Sequence, residues 1–269
     1  MFGNFEIAHH IATAFYRVDT ECRDELRIGD ITCEEDYVSN FTRALRKEFR
    51  NRLHLVSRTL PKTQESKFGA DGLIIFRYGN KVKIGIFEAK WPRISTSYSW
   101  DRCKKPSGLS HFSSQLSRQR LWRRQFAIWE MFFNEEINGV WSPPFDHFGS
   151  SCLWHHHAYH FAHRNCLIFE KWRTTSLAEA LHYLGVNFYH IIFDIISCRA
   201  GSLINITETS DIISVINDID EEVRLDIPII NQRKNDSSEI NSVDIEEFMK
   251  KNGFASYLYL DFSDYRDLK

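Results

Sequence analysis

Gly69-Ala70-Asp71-Gly72-Leu73-Ile74-Ile75-Phe76 and Lys83-Ile84-Gly85-Ile86-Phe87-Glu88-Ala89-Lys90-Trp91 are two apolar runs that flank the dipeptide Gly79-Asn80. A two-residue connection of this kind between strand-like runs predicts a β-hairpin. If Gly79 and Asn80 form its loop, antiparallel pairing places Asp71 opposite Glu88. The decisive feature of the sequence is therefore a hairpin that brings two carboxylates together.

A positive charge joins these two acids. Directly opposed residues project from the same side of a sheet with Cβ atoms roughly 4.5–5.5 Å apart, and the two-residue period of a strand places Lys90 on that side as well. Like charges opposed across strands destabilise a hairpin, but with a divalent cation bound between them the two carboxylates stabilise it. Carboxylate and carbonyl oxygens with waters suit a hard cation such as Mg²⁺.

The pattern of an Asp, a hairpin turn and then Glu-x-Lys at a strand end resembles the signature of the PD-(D/E)XK, or restriction-endonuclease-like, nuclease superfamily. Asp71 matches the motif Asp and Glu88-Ala89-Lys90 matches E-x-K, whereas Ala70 stands where the motif has proline. The resemblance covers roughly residues 30–172. It implies an α/β fold with an αβββαβ core, in which a mixed central sheet is flanked by helices. The chain after this core is expected to add extra C-terminal helices and strands.

The resemblance also implies roles for the hairpin residues. Asp71 and Glu88 would hold Mg²⁺ together with the main-chain carbonyl of Ala89, and Mn²⁺ could replace the magnesium. Lys90 would orient the attacking water or stabilise charge that develops on a phosphate. The alternative is that Asp71 belongs to a turn and that Glu88 and Lys90 are a solvated pair on a strand.

A helix is predicted to start after Thr32, because Glu35 three residues later completes a capping box. Glu34 lies four residues before Val38 on the apolar side of this helix, and Glu35 faces away from it. The superfamily has a Glu near the start of the helix before the sheet, so the resemblance implies a metal role for Glu34. An acidic first turn also suits the helix dipole without a metal.

The residues from Leu109 to Glu136 have a helical pattern, with apolar residues along one side. The superfamily places a Gln on the helix after E-x-K, pointing toward the site, and Gln115 is the candidate. His111 and Gln119 lie one turn away on the same face. The predicted catalytic residues are therefore Asp71, Glu88, Lys90 and Gln115, and the predicted metal ligands are Glu34, Asp71, Glu88 and Ala89.

The net charge of −2 conceals an asymmetry along the chain. Lys and Arg outnumber the acids from residue 43 to 67 and from 90 to 124, and acids dominate after residue 202. Because phosphate affinity follows the local basic surface, the near-neutral total does not exclude a nucleic acid partner. The resemblance implies such a partner, DNA in the first place. The candidate contacts are Arg46, Arg50, Lys104, Lys105 and Arg118. Ordinary solvated helix faces are the alternative explanation.

The rest of the chain is predicted as a series of simple elements. These are a helix within residues 1–20, a strand at 53–57 beside the hairpin, an irregular segment at 141–164, a strand at 165–169, a helix at 176–197, a flexible connection at 231–242, a helix at 244–251 and a strand at 257–262. They suggest an N-terminal helical extension (1–29), a nuclease-like domain (30–200) and an acidic C-terminal extension (201–269) on or beside the core.

Composition limits the class of protein. The 269 residues are 43% hydrophobic and 26% charged, and no run reaches the ~18 apolar residues of a membrane helix. The first residues lack the pattern of a secretory signal, so we expect a cytoplasmic protein without a membrane partner.

The six scattered cysteines are expected to be free thiols. The histidines at 155–163 lack thiolate pairs, so we expect no structural zinc there.

Two functions follow from these observations. The first is a Mg²⁺-dependent nuclease. The second is a catalytically inactive module of the same fold that binds nucleic acid or a protein, as a defence, toxin or effector protein would. Both a monomer and a homodimer are compatible with the sequence, as are DNA and RNA and endo- and exonucleolytic cleavage.

Overall fold

The structure, a computed structural model, describes residues 2–50, 54–59, 69–92, 100–103, 108–133, 135–137, 140–142, 145–205, 254 and 256–263. The helices in these ranges are α1 (Phe5–Ile28), α2 (Glu34–Phe49), α3 (His111–Gln119), α4 (His155–Arg164), α5 (Thr174–Leu184) and α6 (Phe188–Ile196). The strands are β1 (His54–Thr59), β2 (Gly72–Tyr78), β3 (Lys81–Lys90), β4 (Ala127–Phe132), β5 (Glu135–Ile137), β6 (Val140–Ser142), β7 (Ser151–Trp154), β8 (Val186–Asn187), β9 (Ile204–Asn205) and β10 (Ser256–Asp261).

The main sheet has the order β1-β10-β2-β3-β4-β7-β8, and β9 pairs with the start of β3. The β10–β2 and β3–β4 pairs are parallel, and the other pairs are antiparallel. Strands β5 and β6 form a separate two-stranded ribbon. The prediction of an α/β protein with a mixed sheet is confirmed.

Helices cover both faces of this sheet. Residues of α1, α2 and α6 share one buried cluster with Phe87 and Trp129 from the sheet. Residues of α3, α4 and α5 share another with Phe132 and Leu153. Among the described residues, no helix has the length and apolar character needed to cross a membrane. All six cysteines are free thiols.

The central hairpin has the predicted register. Tyr78 pairs with Lys81, and Gly72 pairs with Phe87. Gly79 adopts a positive φ of 59° in the turn, a conformation that glycine reaches without steric cost. Asp71 lies one residue before β2, and its N–H donates to the carbonyl of Phe87 at 2.9 Å.

The predicted helix from Leu109 to Glu136 is wrong in its second half. Helix α3 ends at Gln119, a short 3-10 turn follows at Arg120–Trp122, and the chain then forms β4. Strand β4 is buried along its whole length, because helices pack on both faces of the sheet. A continuous apolar run of this kind fits a central strand as well as a buried helix, and periodicity alone does not separate the two.

Three further predictions in this region are wrong. Residues 165–169 form turns, and the strand beside β4 is β7. The segment at 141–164 is not irregular, since it contains β7 and α4. The single helix at 176–197 is two helices. Gly185 lies between them at a place without room for a side chain, because a Cβ there would lie 2.4 Å from the carbonyl oxygen of Leu181. Extended residues follow before α6 begins.

The C-terminal part of the chain supplies a strand to the main sheet. Strand β10 confirms the strand predicted at 257–262, but it lies between β1 and β2. The strand predicted at 53–57 exists as β1, although it does not pair with the hairpin directly. The predicted connection at 231–242 and helix at 244–251 lie outside the described residues. The division into three segments stays a prediction.

Candidate active site

Four elements meet where β3 ends: the start of α2, the residues before β2, the end of β3, and α3. The buried carboxylate of Asp71 accepts a hydrogen bond from Ala89 N at 3.0 Å. Glu34 Oε1 accepts one from Trp91 N at 2.7 Å. Two acids that are far apart in the sequence are therefore both fixed to the backbone around Lys90.

The start of α2 differs from the prediction in one detail. The N-cap residue is Cys33, whose sulfur accepts a hydrogen bond from Asp36 N at 3.4 Å. Thr32 instead donates to the Asp36 carboxylate at 2.8 Å, so the predicted capping box of Thr32 and Glu35 is wrong. Glu34 is the first helical residue, and its carboxylate reaches the backbone N–H of Trp91, just after β3.

A cavity of about 20 Å³ lies between these elements, and Glu34, Asp71 and Ala89 line it together with Glu35 and Val38. This is room for about one water-sized species. Two carboxylates and a nearby main-chain carbonyl are the donor set that Mg²⁺ accepts, with waters in its other positions. Within the described ranges, no three His, Cys, Asp or Glu side chains form a complete metal-binding group.

Glu88 lies beside this cavity but is not among the residues that line it. Its Oε1 accepts hydrogen bonds from Lys90 Nζ and from Gln115 Nε2. Its side chain is 1% exposed. The six residues predicted for the site therefore lie together, in two adjoining groups: Glu34, Asp71 and Ala89 around the cavity, and Glu88, Lys90 and Gln115 in one hydrogen-bonded cluster.

The charges in this site are strongly coupled. Burial alone would lower the pKa of Lys90, but the carboxylates of Glu88, Asp71 and Glu34 outweigh burial and raise it above its ordinary value. Burial raises the pKa of Glu34; Asp71 adds to this effect, and Lys90 opposes it. The amine is therefore held as an ammonium ion.

A further acid, Glu130, was not predicted as a site residue. It is fully buried on β4 and pairs in parallel register with Glu88. Its Oε2 lies 3.3 Å from Gln119 Nε2, and its Oε1 lies 3.7 Å from His155 Nδ1. The assignment of residues 109–136 to one helix concealed it. A signal was available, since Glu130 is a single charge inside the apolar run from Phe126 to Phe133.

Gln119 connects this acid to the loop before β2. Its Nε2 donates to the carbonyl of Gly69 at 2.7 Å, and its Oε1 lies 2.9 Å from His155 Nδ1. Because an amide oxygen only accepts, His155 Nδ1 carries the proton in this bond. Buried polar groups thus link α4, α3, β4 and the backbone near Asp71.

Glu130 should make the stability of the protein pH-dependent. Burial raises the pKa of Glu130 from 4.5 to about 8, with Gln119 and Lys90 opposing the shift. Between these two values the folded state binds the extra proton, so the free energy of unfolding falls as pH rises, by up to about 1.4 kcal/mol per pH unit. Glu130→Gln should flatten this slope, as measured by chemical denaturation in EDTA from pH 5 to 8. Equal slopes in Glu130→Gln, the wild type and the exposed control Glu170→Gln would contradict a raised pKa of Glu130 as the cause of the pH dependence.

The predicted nucleic acid contacts are dispersed. Arg46 is exposed on α2, and Arg50 is exposed directly after the helix ends; they lie roughly 18 and 24 Å along the helix axis from Glu34. Arg118 is half-buried on α3. Lys104 and Lys105 lie outside the described residues. Arg46 and Arg50 can therefore contact only a substrate that extends well beyond the cavity.

Comparisons of this chain with known protein families, with curated proteins and with solved structures gave no match.

Proposed function

We propose that this protein is a Mg²⁺-dependent nuclease that hydrolyses phosphodiester bonds of nucleic acid, with DNA as the first substrate to test. One observation carries the proposal. Glu34 and Asp71 flank a cavity of about 20 Å³ beside Ala89, and the Glu88–Lys90 ion pair lies next to it.

The order of the elements supports this assignment. Helix α2, strands β1, β2 and β3, helix α3 and strand β4 follow one another along the chain, which is the αβββαβ order of the restriction-endonuclease-like core. Asp71 precedes β2 and Glu88-Ala89-Lys90 ends β3, as the resemblance implies. The insertion of β10 between β1 and β2 is a departure from the expected pairing.

Each residue has a role that follows from its contacts. Glu34, Asp71 and the carbonyl of Ala89 would hold the metal. When bound, Mg²⁺ would polarise the phosphate and lower the pKa of a bound water. Lys90 is an ammonium ion with a raised pKa, so it donates hydrogen bonds to the attacking water or the phosphate and does not act as the general base.

Glu88 and Gln115 position this lysine. Glu88 pairs with Lys90, and Gln115 holds the same carboxylate oxygen from α3. The resemblance implies that Glu88 would also hold the metal, together with Glu34 and Asp71.

The proposal is tested by incubating the purified protein with plasmid and with linear single- and double-stranded DNA and RNA. Mg²⁺ or Mn²⁺ is added in one series and EDTA in the other. We expect cleavage of at least one substrate with metal and none in EDTA. The absence of cleavage from every metal-containing reaction would overturn the proposal.

The second candidate is a catalytically inactive module of this fold that binds nucleic acid or a protein. The contacts of Glu88 favour it, because Lys90 and Gln115 engage this carboxylate outside the cavity. Metal binding distinguishes the two candidates without any knowledge of the substrate.

We expect Mg²⁺ to raise the thermal unfolding temperature. A ligand that binds only the folded state at about ten times its dissociation constant adds about 1.4 kcal/mol of stability. Glu34→Gln should abolish this gain, and the exposed control Glu170→Gln should retain it. A metal-independent unfolding temperature in the wild type would favour the inactive module.

A further inference from the structure

A larger cavity of about 530 Å³ lies away from the candidate metal site, around the start of β4 and the start of α4. Ile128 and His155 both line it. Ile128 precedes Glu130 by two residues of strand, which is roughly 7 Å. The cavity is of the size that commonly holds small-molecule ligands, about 300–1,000 Å³.

The lining of this cavity is basic. Arg123 and Arg124 follow the 3-10 turn, and Arg199 follows α6. Asp194 also lines the cavity, and its carboxylate lies 3.7 Å from the Arg199 guanidinium. One acid offsets one of three guanidinium groups, so an anion entering the cavity meets a net positive charge.

The N-terminus of α4 opens onto the same space. Trp154, which is the N-cap residue, and the first two helical residues, His155 and His156, all line the cavity. In the described part of the chain, no side chain caps this helix, and its first turn has no acidic residue. The free N–H groups and the dipole of a helix N-terminus attract phosphate groups.

His155 supplies an independent sign of a ligand. It is 2% exposed, its Nδ1 is held by Gln119, and its Nε2 has no hydrogen-bond partner among the described residues. Burial lowers the pKa of His155 to about 3, and Arg123 adds to the effect. With its proton on Nδ1, the neutral ring presents Nε2 as an acceptor, so a ligand hydroxyl or amine would satisfy it and a bare anion would not.

The remaining walls are apolar and aromatic. Trp154 is 9% exposed, and Phe126 and Ile128 are also lining residues. Aromatic side chains contact the faces of nucleobases favourably. A fitting ligand therefore combines an anionic group, a hydrogen-bond donor and a flat apolar part.

We propose that this cavity is a nucleotide-binding site, in which Arg123, Arg124 and the N-terminus of α4 hold the phosphate and His155 Nε2 accepts a hydrogen bond from the sugar or base. The nucleotide is either free or at the terminus of a strand. The site requires no metal, so its test is separate from that of the nuclease.

Isothermal titration calorimetry of the full chain in EDTA tests the proposal with three probes: AMP, adenosine and inorganic phosphate. We expect AMP to bind at one saturable site, and adenosine and inorganic phosphate to bind at least about tenfold more weakly, because each lacks half of the contacts. Adenosine equal to AMP, phosphate equal to AMP, or no AMP binding up to the millimolar range would each overturn it.

Matched variants locate the site. The double variant Arg123→Gln/Arg124→Gln should weaken AMP binding about tenfold per arginine lost. Arg164→Gln removes an exposed arginine at the other end of α4 and should leave the affinity unchanged. Retained affinity in the double variant, with native circular dichroism, would contradict the assignment.

A fourth probe distinguishes the two sources of the nucleotide. A 5′-phosphorylated dinucleotide that binds more tightly than AMP supports a strand terminus as the occupant. A dinucleotide that binds more weakly than AMP supports a free nucleotide. Its unphosphorylated form should bind more weakly than the phosphorylated form, and equal affinity of the two would overturn the role of the arginines.

Discussion

Asp71→Asn is expected to reduce Mg²⁺-dependent cleavage by at least about 100-fold. The substitution keeps the shape of the side chain and its hydrogen bond from Ala89 N, but it removes one of the carboxylate charges that line the cavity. A metal contributes several kcal/mol of transition-state stabilisation, and each 1.36 kcal/mol is a factor of ten in rate. The initial rate of cleavage of the best substrate, compared with that of the wild type, measures the loss.

Two companion variants make this test specific. Lys90→Met removes the ammonium and should lose activity to a similar extent, whereas Glu170→Gln removes an exposed carboxylate outside the site and should cleave at the wild-type rate. If folded Asp71→Asn cleaves within threefold of the wild type, Asp71 does not hold the catalytic metal.

Gly69→Ala is expected to destabilise the fold by about 3 kcal/mol and to impair the site with it. Gly69 has a φ of 68°, and a Cβ there would lie 2.7 Å from the backbone oxygen of Gln115. An alanine in the left-handed region costs about 1–2 kcal/mol, and overpacking adds about 1–3 kcal/mol. Because backbone cannot move aside as a side-chain tip can, α3 and Gln115 must shift. Urea denaturation measures the loss of stability.

Gly79→Ala is the matched control for this substitution. Gly79 also has a positive φ, 59°, but a Cβ there would have no atom within 4 Å. It should therefore cost only the conformational part, about 1–2 kcal/mol. Equal losses in the two variants would show that the contact between Gly69 and α3 is unimportant.

The hairpin was predictable because local chemistry determines it. Gly79-Asn80 fixes the turn, and the turn fixes the register of β2 and β3. The same local reasoning brought Asp71, Glu88 and Lys90 together, and the structure also has Glu34 and Gln115 in their neighbourhood.

The elements that depend on distant partners were not predictable in this way. Strand β4 resembles a helix in its composition, since both faces of the sheet around Trp129 are covered. Glu130 was missed with it, because the role of this buried carboxylate depends on its contacts with Gln119 and His155, which lie on other elements. The position of β10 between β1 and β2 depends on pairing that no short window of sequence contains.

The place of β10 has a consequence for how this chain folds on the ribosome. Leu73 pairs in parallel register with Tyr257, and His54 pairs with Asp261 in antiparallel register, so the middle of the sheet stays open until those late residues have been translated. Contacts between residues so distant in sequence slow folding, and an open strand edge invites pairing with other chains. Until β10 has been translated, β1 and β2 each have an edge without the partner strand that covers it in the folded sheet.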